Sequence, residues 1–527
     1  MNARTPLTPE PGCATPPPAG LIDTRTLGPT LHVQADVVIV GSGAGGAPMA
    51  RELARAGWRV VVIEEGRHYT QHDFQGDPIT ATRELYRDLS LTATLGTPPI
   101  PLPLGVAVGG TTLINSGTCF RTPETLFDEW QRTVGLGDLR YADLLPHFDE
   151  VERTLHVADT PIELMGRNNQ LFALGAQRLG YSGRPLRGNR RDCRGAGVCV
   201  WGCPNGAKQS TNLNYVPQAL AAGAQVFTSA RMSRVRLSPD GRRATGIDGV
   251  LLDDARTPRG TLRVDAPVVV LACGAIGTPD LLLRQGLANR SGDVGKHLRL
   301  HPCAKVVGLF DEPVESWHGV PQSYLVDEFA DDGILMEGFW VPPGFLSIAL
   351  PAFGERLKNL MHRYRHMAGF GVMVSDTSAG RVRPGPAGRP LITYSLNRPD
   401  TAAFAKGVAR ACEIYLAAGA REVLPPIHGL PSVTTVEQAR AIEQRRLRAS
   451  ELELVAFHPM GTCRMGDDPR RSVVNAQLES HDAQGLYVAD ASIFPTSLGV
   501  NPQISIMAFS SLAAQGLIAR QGRSSRH

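Results

Sequence analysis

The stretch that most constrains the fold lies near the start. Ala35–His68 reads "ADVVIVGSGAGGAPMARELARAGWRVVVIEEGRH", a pattern of strand, tight turn, helix and strand. Val37–Val40 make an unbroken apolar run, as in a parallel strand buried on both faces. Met49, Leu53 and Ala56 recur at helical spacing, and Val60–Ile63 give a second strand that ends at Glu64. Between the strands, Gly41, Gly43 and Gly46 spell G-x-G-x-x-G. In that pattern the first glycine permits the turn, the second lets backbone approach a pyrophosphate, and the third lets helix and strand pack closely. Ala44 sits on the same loop and is placed with them. Free N–H groups at the helix start, aided by its dipole, hold phosphate charge. An acid in the position of Glu64 suits a ribose hydroxyl pair. The expectation is an α/β, Rossmann-like dinucleotide-binding domain on a parallel sheet. A Gly-rich turn that binds nothing is the weaker alternative, because both strands, the helix and the acid keep register. The pattern does not separate a flavin dinucleotide from a nicotinamide one.

At 527 residues the chain is too long for one compact core, so two or more joined domains are expected. Fifty-four basic and 50 acidic residues leave a net charge of +4, and no dense Lys/Arg run with interleaved aromatics occurs. That is a mixed, solvated surface and argues against nucleic acid as a partner. Nine cysteines, odd in number and mostly scattered, do not read as a secreted disulfide framework. A cytoplasmic location fits them better. The Pro/Thr-rich start lacks an apolar core, so it reads as a loose tail over residues 1–32 and not as a secretory signal. No run of about 18 apolar residues is present, so no transmembrane segment is expected.

Three further segments join the first glycine motif in a recognisable order: "GGTTLIN" at Gly109–Asn115, "HPMGTCRMG" at His458–Gly466, and "GLYVADASIFPTSLGVNPQISIMAF" at Gly485–Phe509. With that motif they make the chain similar to the glucose–methanol–choline (GMC) oxidoreductases, FAD enzymes that act mostly on alcohols. Gly195–Ala224 and the "GVNPQISI" ending resemble the long-chain alcohol oxidase side of the family, and Gly109–Thr118 resembles the matching loop of cholesterol oxidases. The resemblance implies that Gly109 and Gly110 bring backbone against the isoalloxazine and that Asn115 hydrogen-bonds near its reactive edge. A simple turn-forming role is the alternative for Asn115. Some members tether FAD through a histidine just before this asparagine. Here the position is Ile114, so non-covalent FAD is implied. The resemblance further places the Val235 backbone at the adenine, and Ala272, Gly274 and Ala275 along the cofactor. Those last three also read as a plain buried strand and turn. Asp490, with Ala491 after it, corresponds to the flavin-chain contact, although carboxylates at strand ends also cap helices.

Oxidising an alcohol removes a hydride from carbon and a proton from oxygen. A flavin takes the hydride. The proton needs a base, and histidine suits because its free pKa lies near working pH. The forming alkoxide needs a donor to hold it. The family's base and donor positions fall on His458 and Asn501. Pro502 biases Asn501 towards an extended conformation, and Ile504, Met507, Ala508 and Leu512 then begin a helix with Gln503 in its first turn. Its positive end would aim at the flavin's pyrimidine edge. The "FHPMGTCRMG" segment reads as an irregular loop that carries His458 over the flavin, turning at Gly461 and Gly466. His301, also before a proline, reads as structural or as a pocket residue.

Cys193, Cys199 and Cys203 have C-x5-C-x3-C spacing. Some FAD dehydrogenase subunits related to the family carry an iron–sulfur cluster at similar spacing. Packed thiols under Trp201 are the favoured reading, and no metal is assigned. The cofactor domain is expected to be discontinuous, over 33–300 and 452–520, with a cysteine-containing loop inserted at 190–212. Residues 301–451 are expected to form a substrate domain, α+β in class, on a mostly antiparallel sheet covered by helices. The apolar segment Ile334–Gly354, with Phe339, Trp340, Phe345 and Phe353, reads either as sheet core or as the wall of a pocket for a hydrophobic alcohol. The leading function is FAD-dependent oxidation of that alcohol, the electron acceptor being oxygen, a quinone or a cytochrome. A flavin-containing lyase of the hydroxynitrile type and an electron-transferring dehydrogenase subunit with an iron–sulfur cluster are the alternatives.

Overall fold

The computed structural model of the protein describes residues 18–524. A six-stranded, all-parallel sheet forms the base, in the order Leu21–Asp23, Gln225–Thr228, Val60–Ile63, Val37–Val40, Val268–Leu271, Leu486–Val488. All residues of its two central strands are buried, as a sheet covered on both faces requires. Helix Gly46–Arg55 follows the first central strand, and the long helix Gln503–Ser524 packs beside it. A four-stranded sheet, Thr30–Gln34, Pro258–Asp265, Ala244–Leu252 and Ala230–Leu237, abuts this layer through the same core.

The second unit is an antiparallel sheet in the order Glu422–Leu424, Pro302–Leu309, Met367–Val374, Ile334–Gly338, Tyr324–Val326, Gly183–Pro185. Leu454–Ala456 pairs with the start of Pro302–Leu309. One face packs on helices Arg398–Ala418 and Arg167–Arg178, burying Phe172, Phe370, Phe404, Val408 and Tyr415. Register places Lys305, Gly371 and Glu337 side by side across three strands, so Lys305 and Glu337 share the opposite face.

Two boundaries differ from the expectation. The tail assigned to 1–32 is shorter: Leu21–Asp23 is an outer strand of the parallel sheet and Thr30–Gln34 pairs with Pro258–Asp265. Leu21, Ile22 and Leu31 pack on the main core, which is the apolar contact that orders them. The rest of that tail, 1–17, lies outside the described residues. The antiparallel sheet also reaches beyond 301–451, taking Gly183–Pro185 before it and Leu454–Ala456 after it. Arg381–Pro384 and Pro390–Thr393 form a separate two-stranded hairpin.

Candidate active site

The glycine loop is shaped by contacts with its neighbours. Gly41 has φ +102°, and a Cβ there would lie 2.4 Å from the Ala272 carbonyl oxygen. A Cβ on Gly46 would lie 1.9 Å from the Gly41 oxygen, so this glycine sets the helix–strand approach. Gly43 behaves differently: the atoms nearest its missing Cβ belong to Gly110 and Gly109, at 3.9 and 4.0 Å. Two glycine loops therefore face one another with no side chain between them. The Gly43 and Ala44 amides donate to no backbone acceptor among the described residues. Such a bare cradle at a helix start fits a pyrophosphate. Glu64 is buried and accepts from Ser42 N (3.1 Å), Ser42 Oγ (2.7 Å) and Gly66 N (2.8 Å). Ser42 Oγ in turn accepts from Gly109 N at 3.0 Å, which joins the acid to the second glycine loop. Burial raises the Glu64 carboxyl above its ordinary pKa.

The other residues expected along a cofactor lie on neighbouring elements. Ala272 ends its strand and donates its N–H to Val40 O. Gly274 opens helix Gly274–Gln285, with nothing near the place of its Cβ, and its N–H donates to Asp490 Oδ2 at 2.9 Å. Asp490 also accepts from Thr278 Oγ1 (2.5 Å) and Ser492 N (2.9 Å), so it caps the turn Ala491–Ile493 while stapling it to that helix. Val235, in the neighbouring sheet, donates its N–H to Gln285 Oε1 at 2.9 Å. Asn115 Nδ2 donates to Gln503 Oε1 at the start of the last helix, and Asn115 Oδ1 accepts from Gly117 N at 3.0 Å.

His458 and Asn501 meet. His458 Nε2 and Asn501 Nδ2 are 3.4 Å apart, and Asn501 Nδ2 also lies 3.4 Å from Glu337 Oε2. The amide N–H faces Nε2, so Nε2 holds the lone pair. His458 Nδ1, Asn501 Oδ1 and Glu337 Oε1 are buried with no protein partner among the described residues, an arrangement that normally signals a missing ligand or water. Burial lowers the His458 pKa to about 4, which leaves the ring unprotonated at neutral pH. Burial raises Glu337 to about 7, and its bond from Asn501 opposes this.

The loop that carries His458 is laced on both sides. Met460 exchanges backbone bonds with Arg299, at 2.9 Å each way. Gly461 N donates to Ala491 O (3.1 Å), Cys463 N to Ser492 O (2.8 Å) and Met465 N to Ile493 O (2.7 Å). Thr462 Oγ1 donates to Ala275 O at 2.7 Å. Gly461 does turn with φ +86°. Gly466 does not take positive φ; a Cβ there would crowd Val134 O at 3.1 Å, so its need is for space.

Sequence reasoning missed several members of this site. Glu337 is the main one, and its signal was a lone acid within "ILMEGFW". Gln322 donates to it at 3.3 Å and accepts from Thr118 Oγ1 at 2.7 Å. Gly45 escaped the glycine pattern, yet a Cβ there would lie 1.5 Å from Ala489 O. His301, which the sequence left between a structural and a pocket role, was not missed and stands beside the pair: its ring is edge-on to His458 with centroids 5.5 Å apart, and its Nε2 accepts from Gly499 N at 3.0 Å. Asp376 holds it by accepting from His301 N (3.1 Å) and Leu300 N (3.1 Å), with Tyr394 OH at 2.8 Å and Ser497 Oγ also donating.

The apolar segment is divided between a strand and a separate apolar cluster. Ile334–Gly338 is a buried strand, whereas Phe345 packs on Trp201 (5.7 Å) in a cluster with Leu113 and Ile114. Phe353 is 89% exposed and serves neither role. Cys193, Cys199 and Cys203 line one cavity of about 10 Å³ with Gly195, Gly197 and Val320, room for about one water. Among the described residues, no group of three or more His, Cys, Asp or Glu side chains is arranged to hold a metal ion.

Comparison with known proteins follows the same lines. An FAD binding domain matches residues 34–125, and the two parts of the GMC oxidoreductase description match residues 82–303 and 376–510. An uncharacterized GMC-type oxidoreductase of Mycobacterium tuberculosis is 42% identical over 490 residues, covering 92% of this chain and 76% of that protein. One from Sinorhizobium fredii is 32% identical over 499 residues, covering 94% and 97%. A long-chain-alcohol oxidase of Arabidopsis thaliana is 28% identical over 514 residues, covering 90% and 67%. Among solved structures, pyridoxine 4-oxidase from Mesorbium loti shares the fold with a TM-score of 0.69 at 20% identity, covering 91% of this chain and 98% of that one.

Proposed function

We propose, for a chain that belongs to the GMC oxidoreductase family and binds FAD, that it oxidises the CH–OH group of a hydrophobic alcohol to an aldehyde or ketone, with His458 as base. The observation that carries this reading is the long 3.4 Å contact between His458 Nε2 and Asn501 Nδ2, which sets a lone pair beside an amide N–H in one buried place. Gly41, Gly43, Ala44 and Gly46 would hold the pyrophosphate and Glu64 the ribose. Gly109, Gly110 and Asn115 would line the ring, with Ala272, Gly274, Asp490, Ala491 and Gln503 along its chain and the Val235 backbone at the adenine. Bound FAD supplies the acceptor for the hydride that leaves carbon. The chain handles the other half: the hydroxyl proton passes to the lone pair on His458 Nε2 as the C–O bond becomes a carbonyl. The substrate hydroxyl would replace the long contact between Nε2 and the Asn501 amide, so that the freed amide N–H holds the oxygen as its charge develops. Glu337 fixes that amide from behind, and His301 braces both the imidazole and the Gly499 turn before Asn501.

A hydrophobic substrate is supported by Phe345, Trp201, Leu113 and Ile114, which cluster at the Asn115 loop, and by the long-chain-alcohol oxidase relative. Ile114, at the place of a tethering histidine, supports non-covalent FAD. The eight cysteines of the described residues are all unpaired, which supports a reducing, cytoplasmic setting. No described helix is long and apolar enough to cross a membrane.

The test is an anaerobic screen of primary and secondary alcohols that follows flavin bleaching, repeated with His458→Ala. The variant is expected to bind FAD and to bleach at least about a hundredfold more slowly. Near-normal bleaching would remove His458 from the mechanism. Substrate turnover without bleaching would point to a lyase. Reoxidation by oxygen, a quinone or a cytochrome then identifies the acceptor.

A further inference from the structure

Lys208 is 2% exposed, and its ammonium group has no carboxylate partner among the described residues. It donates instead to three backbone carbonyls: Leu113 O at 2.7 Å, Asn115 O at 2.6 Å and Cys199 O at 2.7 Å. Arg190, bridged to it through the backbone, repeats the pattern. Its guanidinium donates to Ser116 O (3.0 Å), Gln322 O (3.2 Å) and Thr160 Oγ1 (3.2 Å), and again to no carboxylate. Two cations thus grip one short segment, Leu113–Ser116, from beneath. Among the described residues, the titratable groups besides Arg190 that bear on Lys208 are Cys199 and Cys203, and burial keeps the Cys199 thiol protonated by raising its pKa. Burial also lowers Lys208 itself to about 8.

Sequestering positive charge without a counter-charge is costly, and carbonyl dipoles offset only part of that cost. Among the described residues, no carboxylate bonds to either cation. The segment the two cations hold is the one assigned above to the ring of FAD, a group whose electron gain adds negative charge.

We propose that Lys208, seconded by Arg190, is a fixed positive platform under the Asn115 loop that draws bound FAD towards its reduced state. This rests on the placement of Asn115 at the flavin. Lys208 acts here through charge and loop position and does not touch the reacting atoms.

The experiment is an equilibrium reduction of the FAD-loaded protein against a reference dye, with Lys208→Gln and Lys208→Met compared with wild type. FAD affinity and apoprotein melting are measured alongside. Lys208→Gln keeps amide donors for the carbonyls but removes the charge. It is expected to bind FAD within about threefold of wild type, and its reduction constant is expected to fall at least tenfold, about 30 mV for a two-electron couple. Arg190→Gln, at a half-buried site, is expected to shift the constant in the same direction by a smaller factor, and it carries the test if the Lys208 variants do not fold. An unchanged constant in a folded, FAD-loaded variant overturns the proposal. Asn115→Ala separates the two readings. If it changes the flavin absorption spectrum while Lys208→Gln leaves the constant alone, only the platform is wrong. If neither variant affects the flavin, the placement of the loop is wrong and the proposal falls with it.

Discussion

Glu337 shows what one side chain can do to the energetics of the site. Its carboxyl is buried, and its pKa is raised to about 7. The folded protein therefore keeps a proton that the unfolded chain releases at ordinary carboxylate pH. Stability contributed this way is fully present at low pH and is lost as pH rises towards 7. Glu337→Gln removes the titration, so urea unfolding should find the variant close to wild type near pH 4 and more stable at pH 8, by on the order of 3 kcal/mol. A variant with the wild-type pH slope would show that Glu337 is not the titrating group. The contrast between Glu337 and His458 also explains what the sequence disclosed. His458 and Asn501 lie in Gly- and Pro-marked segments whose order along the chain can be recognised. Glu337 sits in an apolar strand, where nothing local says which face its side chain takes or that Asn501 waits across the interface.

At the scale of elements, Asp490 is the joint between two of them. It accepts from Gly274 N, Thr278 Oγ1 and Ser492 N while buried. Asp490→Ala would leave three donors without partners, and the apoprotein should lose about 3 kcal/mol in urea unfolding. A loss under about 1 kcal/mol would mean that the staple is dispensable. The strands around this joint were legible because parallel strands covered on both faces are continuous apolar runs. Leu21–Asp23, Gly183–Pro185 and Leu454–Ala456 were not. Each has three residues, too few to show a period, and each is defined by a partner distant in the chain. The helix Arg398–Ala418 buries Phe404, Val408, Ala411, Cys412 and Tyr415, recurring at helical spacing, against the antiparallel sheet.

Across the whole molecule, a parallel sheet and a mostly antiparallel one were both readable, but their edges were not, because the strands interleave. The antiparallel sheet draws Gly183–Pro185 and Leu454–Ala456 from either side of its main span, and Ile276 of the cofactor side packs into its core. The two units should therefore lose structure together. Flavin fluorescence, tryptophan fluorescence and far-ultraviolet ellipticity are expected to give one coincident urea transition; separated midpoints would show that the units unfold independently. The same interleaving bears on how the protein is made. The parallel sheet begins at Leu21 and is completed only at Leu486–Val488, and the helix that meets Asn115 starts later still, at Gln503. A nascent chain leaving the ribosome would have the early glycines long before it has the walls that close around them. Cofactor capture should accordingly be an event of the finished polypeptide, and chains stalled in synthesis would emerge colourless.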